Sequence, residues 1–212
     1  MNKKQRAAEI YRRLDERYPD LTTALEWHDP WELLVGTVLA AQSTDKKVNQ
    51  VMPELTRRWP GPKEMARAER PEIEEVIRSL GLFRNKAKSL KAAAEMLVSE
   101  FNGRVPDTMD ELVKLPGVAR KTAAIVLWNA FGKNEGLAVD THVKRLSYRL
   151  GLTAETEQNK IEKDLMQLFP RDHWGPVNHM LVNLGREICT AKKPDHANCP
   201  LEDICPGKGV KP

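Results

Sequence analysis

The 212-residue chain has only three cysteines, an odd number, and all three lie beyond residue 188. That excludes a disulfide framework running through the fold and points to a metal or cluster site near the C-terminal end. Long apolar runs are also missing. No stretch approaches the length needed to span a bilayer, and Met1-Asn2-Lys3-Lys4-Gln5-Arg6 leads into a charged helical pattern with no apolar signal core. Alternation of apolar and polar residues with period two is almost absent, which leaves little room for half-buried strands. There is no low-complexity tract and no repeat of fixed period. A formal net charge of +4 is too mild to single out nucleic acid as a partner by itself. From these absences we expect a soluble, cytoplasmic, nearly all-α protein without a membrane partner.

What is present fits helices. The length allows one domain or two small ones with a real core. Residues 3–18 carry Ile10 and Leu14 at helical spacing and are ended by Pro19-Asp20. Asp29-Pro30 should open a second helix, because aspartate caps free amides and proline fits the first turn. That helix, Trp31 to Ala41, is apolar nearly all round and belongs in a core. It runs into Gln42-Ser43-Thr44-Asp45-Lys46-Lys47, a polar cluster whose plainest reading is a cap. Ile73, Val76, Ile77 and Leu80 mark an amphipathic helix over 71–80, stopped by Gly81. Leu82-Phe83-Arg84-Asn85-Lys86 reads as a turn exposing two apolar side chains beside basic ones. The following helix buries Leu90, Ala94, Leu97 and Phe101, and Asp107 or Thr108 should cap 109–114.

The chemistry concentrates between Leu115 and Leu152. From Leu112 to Arg149 there are seven basic residues (Lys114, Arg120, Lys121, Lys133, Lys144, Arg145, Arg149) against Glu135 and Asp140, a net +5 that leaves −1 for the rest of the chain. Either this is a solvated helix surface or it faces a polyanion, and we favour the polyanion. In Leu115-Pro116-Gly117-Val118-Ala119, proline fixes one φ and glycine permits positive φ, so the chain can turn and aim backbone amides into the start of the next helix. Such a turn suits a phosphodiester, although Pro-Gly alone is more often a plain connector. Lys121 then stands at the start of a strongly apolar helix, where the dipole and Arg120 disfavour its charged form. A lysine protonated at its ordinary pKa cannot attack, and partial desolvation is one route to a nucleophilic amine. Asp140, in Val139-Asp140-Thr141-His142, could stabilise positive charge developing on a sugar.

Taken together, Leu115-Pro116-Gly117…Arg120-Lys121-Thr122-Ala123 and Val139-Asp140-Thr141-His142-Val143 resemble the helix-hairpin-helix, Gly/Pro-rich loop and aspartate signature of DNA base-excision glycosylases, and closely resemble the endonuclease III branch. The resemblance extends from Leu34 through Gln42-Ser43-Thr44-Asp45 to Cys205. It implies that Lys121 attacks C1′ of a flipped nucleotide, displaces the damaged base and forms a Schiff base, after which β-elimination cuts the strand. It implies that Asp140 stabilises positive charge on the sugar and helps activate the amine. Gln42 and Leu82 would wedge into the space left by the flipped base, and Gly117, Ala119, Arg120 and His142 would contact or position DNA. The implied substrate is duplex DNA carrying an oxidised or ring-saturated pyrimidine or an abasic site, and the implied protein is a nucleoid-associated monomer. The family commonly has glycine where this chain has Ala119, whose methyl group is tolerable only with φ below zero.

Cys189, His196, Cys199 and Cys205 follow one another at intervals of seven, three and six positions. By spacing alone, three cysteines and a histidine suit structural zinc first. The resemblance instead implies a [4Fe–4S] cluster with His196 in place of the usual second cysteine. Two readings stay open: His196 ligates iron, or it does not and the cluster is incomplete. His28, His173 and His179 read as ordinary surface or core residues.

Adenine- and thymine-mismatch relatives lack a lysine at the Lys121 position. An alternative of another class is a non-catalytic helix-hairpin-helix DNA-binding protein with a structural metal. The fold expected from the resemblance is two helical lobes with a DNA cleft between them. Residues 23–134 would form a six-helix barrel with the hairpin, and 1–22 plus 135–212 a cluster-binding lobe.

Overall fold

The computed structural model of the chain describes residues 1–207. Among these, every regular element is helical, and no helix is long and apolar enough to cross a membrane. The chain divides into two compact units, Thr23–Glu135 and Met1–Thr22 with Gly136–Pro212.

Within 23–135, α2 (Pro30–Leu39) starts as its sequence dictates: the Asp29 carboxylate accepts from the Glu32 amide at 2.8 Å and Pro30 occupies the first turn. Trp31 and all of Leu33 to Leu39 are buried, and this helix packs against α8 (Arg120–Phe131). Each buried leucine or valine contributes about 1.5–3 kcal/mol relative to exposure, so this apolar pair is the centre of the unit. The polar cluster after α2 is a cap in part: the Thr44 hydroxyl accepts from the Lys47 amide and opens α3 (Asp45–Arg58). The short helices α4 (Pro62–Arg67) and α5 (Arg70–Val76) both have proline in the first turn and pack on the long α6 (Phe83–Glu100). Lys91 of α6 donates to the carbonyls of Ala66 and Ala68 and so closes the end of α4. A single turn, α7 (Met109–Leu112), precedes α8.

Two boundaries differ from the periodicity. The helix expected over 71–80 ends at Val76, yet Ile77 and Leu80 stay buried because the chain continues in tight turns, with the Leu80 amide bonded to the Ile77 carbonyl. Tight turns and helix keep the same face inward over so short a stretch, so the pattern could not separate them. Phe83 to Lys86, expected as a turn, form the first turn of α6; only Leu82 stands outside, as its N-cap.

The other unit holds α1 (Lys3–Arg17), α9 (Thr141–Arg149), α10 (Gln158–Leu168) and α11 (Trp174–Glu187). Asn2 and Gln5 form a reciprocal capping box at the start of α1. Ala7, Ile10 and Leu14 of α1 share one core with Val143, Leu146, Ile161, Leu165, Leu181 and Leu184. Polar ties join α1 to the C-terminal segment. Arg13 donates to the Pro200 carbonyl and pairs with Asp203, and the Tyr18 hydroxyl donates to Glu187. Tyr11 stacks on His173 at 3.6 Å between ring centres.

Candidate functional site

The hairpin between α7 and α8 is a four-residue turn in which the Val118 amide donates to the Leu115 carbonyl at 3.0 Å. Gly117, its third residue, has φ +83°, as a type II turn requires. A side chain there would fail on space as well: a Cβ would stand 2.6 Å from the Ser89 Cβ. Ala119 has φ −83°, so its methyl group is tolerated at the N-cap of α8. It offers no side-chain oxygen, and the first-turn amides of α8 therefore have no side-chain cap. Those amides and the helix dipole make the turn a positive end open to an anion.

Lys121 occupies the second position of α8 and its side chain is exposed. Burial therefore does not supply the desolvation expected from the sequence. The Arg120 guanidinium donates to the Glu135 carbonyl at 3.4 Å, while the Glu135 carboxylate accepts from the Met109 amide at 2.6 Å. Glu135 thus ties the loop after α8 to the start of α7, a role its sequence position did not announce.

In the other unit, Asp140 is the N-cap of α9 and accepts from the Val143 amide at 2.8 Å through one carboxylate oxygen. His142 Nδ1 lies 3.2 Å from the Arg145 guanidinium. Guanidinium only donates, so Nδ1 accepts and the imidazole proton resides on Nε2. Gly185 of α11 makes room for this pair, since a Cβ there would meet His142 Nδ1 at 2.8 Å and the Arg145 guanidinium at 2.9 Å.

The basic stretch divides on inspection. Arg120 reaches Glu135, Lys133 pairs with Asp107, and Arg145 and Arg149 turn toward the cysteine loop. Lys114, Lys121 and Lys144 are the exposed members and Arg120 is half-exposed, so the charge available to a polyanion is smaller than the raw count suggests.

Gln42 and Leu82 share an unusual backbone. Among the described residues four non-glycine residues have positive φ: Asp20, Gln42, Leu82 and Asn102. Aspartate and asparagine tolerate that region through local hydrogen bonds, whereas glutamine and leucine pay roughly 1–2 kcal/mol. Leu82 is also 53% exposed, the most of any large apolar side chain after Met1 among the described residues. Both features favour presentation of these two side chains outward over folding stability.

Cys189, His196, Cys199 and Cys205 line one cavity, walled by Leu146, Leu150, Leu184, Ile188 and Leu201. Among the described residues, no group of three or more His, Cys, Asp or Glu side chains is placed to hold a metal ion directly; the thiols surround a space rather than converge on a point. Donors are aimed at their sulfurs. Arg149 lies 3.2 Å from Cys189 Sγ, and the Gly207 amide lies 3.4 Å from Cys205 Sγ. Burial pushes the Cys199 and Cys205 thiols up, opposed by backbone N–H groups of Leu201 and Gly207. A buried thiolate needs a compensating cation, and sulfur donors around an apolar space with N–H groups directed at them fit an iron–sulfur group. Arg149 and Arg145 are the residues that sequence reasoning missed here. Arg149 is 8% exposed and also donates to the carbonyls of Thr190 and Ala191, and Arg145 donates to those of Gly185 and Cys189.

Comparison with known proteins finds two matched regions. Residues 35–171 match the family of HhH-GPD superfamily base excision DNA repair proteins, and residues 189–205 match the iron–sulfur binding domain of endonuclease III. The chain is 50% identical to endonuclease III of Synechocystis sp. over 205 residues, covering 97% of this chain and 94% of that protein. It is similar to a solved non-covalent endonuclease III–DNA complex, with TM-score 0.92 and 39% identity over 98% of this chain and 97% of the other. The same values hold for a trapped endonuclease III–DNA covalent intermediate.

Proposed function

Because the chain belongs to the HhH-GPD superfamily, in its endonuclease III branch, it is a base-excision DNA glycosylase with abasic-site lyase activity, and we propose that Lys121 and Asp140 carry the reaction. The observation that carries the assignment is the position of Lys121: an exposed amine in the first turn of α8, two residues beyond a hairpin end that offers uncapped amides to a phosphate. In this reading the Lys121 amine, once deprotonated, attacks C1′ of an extruded nucleotide. The N-glycosidic bond breaks and its electron pair leaves with the base. Ring opening gives a Schiff base between Lys121 and the sugar. Loss of a C2′ proton then expels the 3′ phosphate oxygen and cuts the strand. Asp140 answers the positive charge that develops on the sugar and helps activate the amine.

The remaining roles follow the same reading. Gly117, Ala119 and Arg120 hold backbone phosphate, His142 positions DNA through its Nε2–H, and Gln42 and Leu82 fill the space that the extruded nucleotide vacates. Supporting the wedge roles is the cost of holding glutamine and leucine in the left-handed region. Oxidised or ring-saturated pyrimidines are the proposed substrate class, and a monomer the proposed active form. Residues 23–134 would bear the hairpin and nucleophile, and 1–22 with 135–212 the carboxylate and cluster.

The C-terminal segment is an iron–sulfur binding domain. We assign it a [4Fe–4S] cluster held by Cys189, Cys199 and Cys205, with His196 at the position of the usual second cysteine. When bound, the group supplies structural cross-links to a proline-rich segment that has little core of its own. Brown colour with iron and sulfide in the purified protein is expected; colourless protein holding zinc would overturn this assignment.

Borohydride trapping on duplex DNA with an abasic site tests the mechanism. Wild-type protein should give a covalent adduct and Lys121→Ala none. Equal trapping by both would remove Lys121 from its role and would favour a helix-hairpin-helix binding protein in which cleavage does not depend on this amine.

A further inference from the structure

Lys86 is a cation in a place that disfavours one. It stands in the first turn of α6, where the helix dipole is unfavourable to positive charge, and it is only 5% exposed. Burial pushes its ammonium below the usual lysine range, and among the described residues no carboxylate pairs with it. Of its three N–H donors, one is used, toward Ser43 Oγ at 2.8 Å. A methionine would fill the same space with no ammonium to desolvate, so packing alone does not explain a lysine here.

The Ser43 bond joins two particular turns. Ser43 follows Gln42, which has φ 54°, and Lys86 lies one helical turn after Leu82, which has φ 59°. The same two turns also touch through backbone: a Cβ placed on Gly81 would stand 3.3 Å from the Gln42 carbonyl oxygen. Two left-handed residues on separate turns are thus held in register by one close backbone approach and one buried ammonium.

We propose that the Lys86–Ser43 hydrogen bond locks the Gln42 and Leu82 turns into a single rigid probe, which makes Lys86 a positioning residue for nucleotide extrusion. The proposal rests on the reading of Gln42 and Leu82 as residues that enter the duplex. Extruding a nucleotide breaks its pairing and stacking, at a cost in free energy. Two side chains offset that cost only if they arrive together, because a turn free to swing must first be ordered. Lys86 itself touches no DNA in this scheme; its ammonium is spent on holding the turns.

The test compares two substrates with the full-length, cluster-loaded protein. One is a duplex carrying a damaged pyrimidine, which must be opened. The other is a single-stranded oligonucleotide carrying an abasic site, assayed by borohydride trapping, which has no duplex to enter. Lys86→Met removes the donor and keeps the stem, and Ser43→Ala removes the acceptor. Each should reduce duplex excision at saturating DNA at least tenfold more than single-strand trapping, and the double variant should be no worse than Lys86→Met alone. Gly81→Ala, which crowds the Gln42 carbonyl, should shift the ratio in the same direction. Equal losses on both substrates together with a lower melting temperature would reduce Lys86 to ordinary packing and overturn the proposal, as would full duplex activity in both single variants. Leu82→Ala and Gln42→Ala separate the underlying reading. If they leave duplex excision intact, the wedge reading fails and the latch with it. If they impair it while Lys86→Met does not, the latch alone fails.

Discussion

Arg149 presents one terminal nitrogen to the sulfur of Cys189, a proposed cluster ligand, and to the Thr190 carbonyl, while its second terminal nitrogen holds the Ala191 carbonyl. A guanidinium can serve two acceptors at once in a fixed fork, and hydrogen bonds to an anionic sulfur are stronger than neutral ones. Arg149→Met leaves Cys189 Sγ and the Thr190 and Ala191 carbonyls without that donor. Cluster affinity should fall on the order of 10–100-fold, as for other groups that orient ligands. Iron and sulfide per chain after challenge with a chelator measure it, and retention equal to wild type would show the contact to be idle. Gly117→Ala acts by another route, since a Cβ must displace Ser89 while φ stays at +83°. It should destabilise the fold by roughly 1–3 kcal/mol and weaken duplex binding, read by thermal melting and by titration with fluorescent DNA. Gly117, Lys121 and Asp140 stood out as candidates in the sequence because each sits in a short motif whose neighbours explain it. Arg149 did not: its partners lie about forty positions away, and in a basic run it looked like one more surface charge.

At the scale of the element, α9 asks one residue to do two jobs. Asp140 caps the helix through the Val143 amide, and in the proposed mechanism it also carries the negative charge facing the sugar. The two jobs separate by substitution. Asparagine caps nearly as well as aspartate, whereas alanine removes the cap at a cost of about 1 kcal/mol. Asp140→Asn should therefore melt within about 0.5 kcal/mol of wild type yet lose most glycosylase activity; Asp140→Ala should lose both stability and activity. If Asp140→Asn stayed active, the carboxylate would be a cap and nothing more. Helices were legible where caps and apolar spacing agreed, as with Asp29-Pro30 ahead of α2. They were less so where packing, not propensity, set the end: α5 stops at Val76 although Ile77 and Leu80 remain buried. The first turn of α6 was hidden for a related reason, because a lysine in an N-terminal turn is disfavoured locally and is accounted for only by its contact with Ser43.

For the molecule as a whole, stability between neutral and mildly acidic pH should depend on His179, buried in α11 at 8% exposure. The sequence offered no sign of this, since a histidine's environment is a property of the packed core and not of its neighbours in the chain. Burial pushes its imidazole down to about 4. An unfolded chain binds a proton there near pH 6.5, while the native protein resists until much lower pH. The stabilisation is fully present above pH 6.5 and is lost as pH falls toward 4, by about 3 kcal/mol at most. The half-exposed carboxylates Glu9 and Glu54, each held down to about 2 by two arginines, act mainly below this window and do not mask it. Thermal melting from pH 7.5 to 4.5 should thus fall less steeply for His179→Phe than for wild type, with the cluster present in both. Acid loss of iron would lower both curves together, so the difference between them isolates the imidazole. Parallel curves would mean that a proton reaches His179 in the native state, and that the unit holding the cluster opens more readily than its core implies.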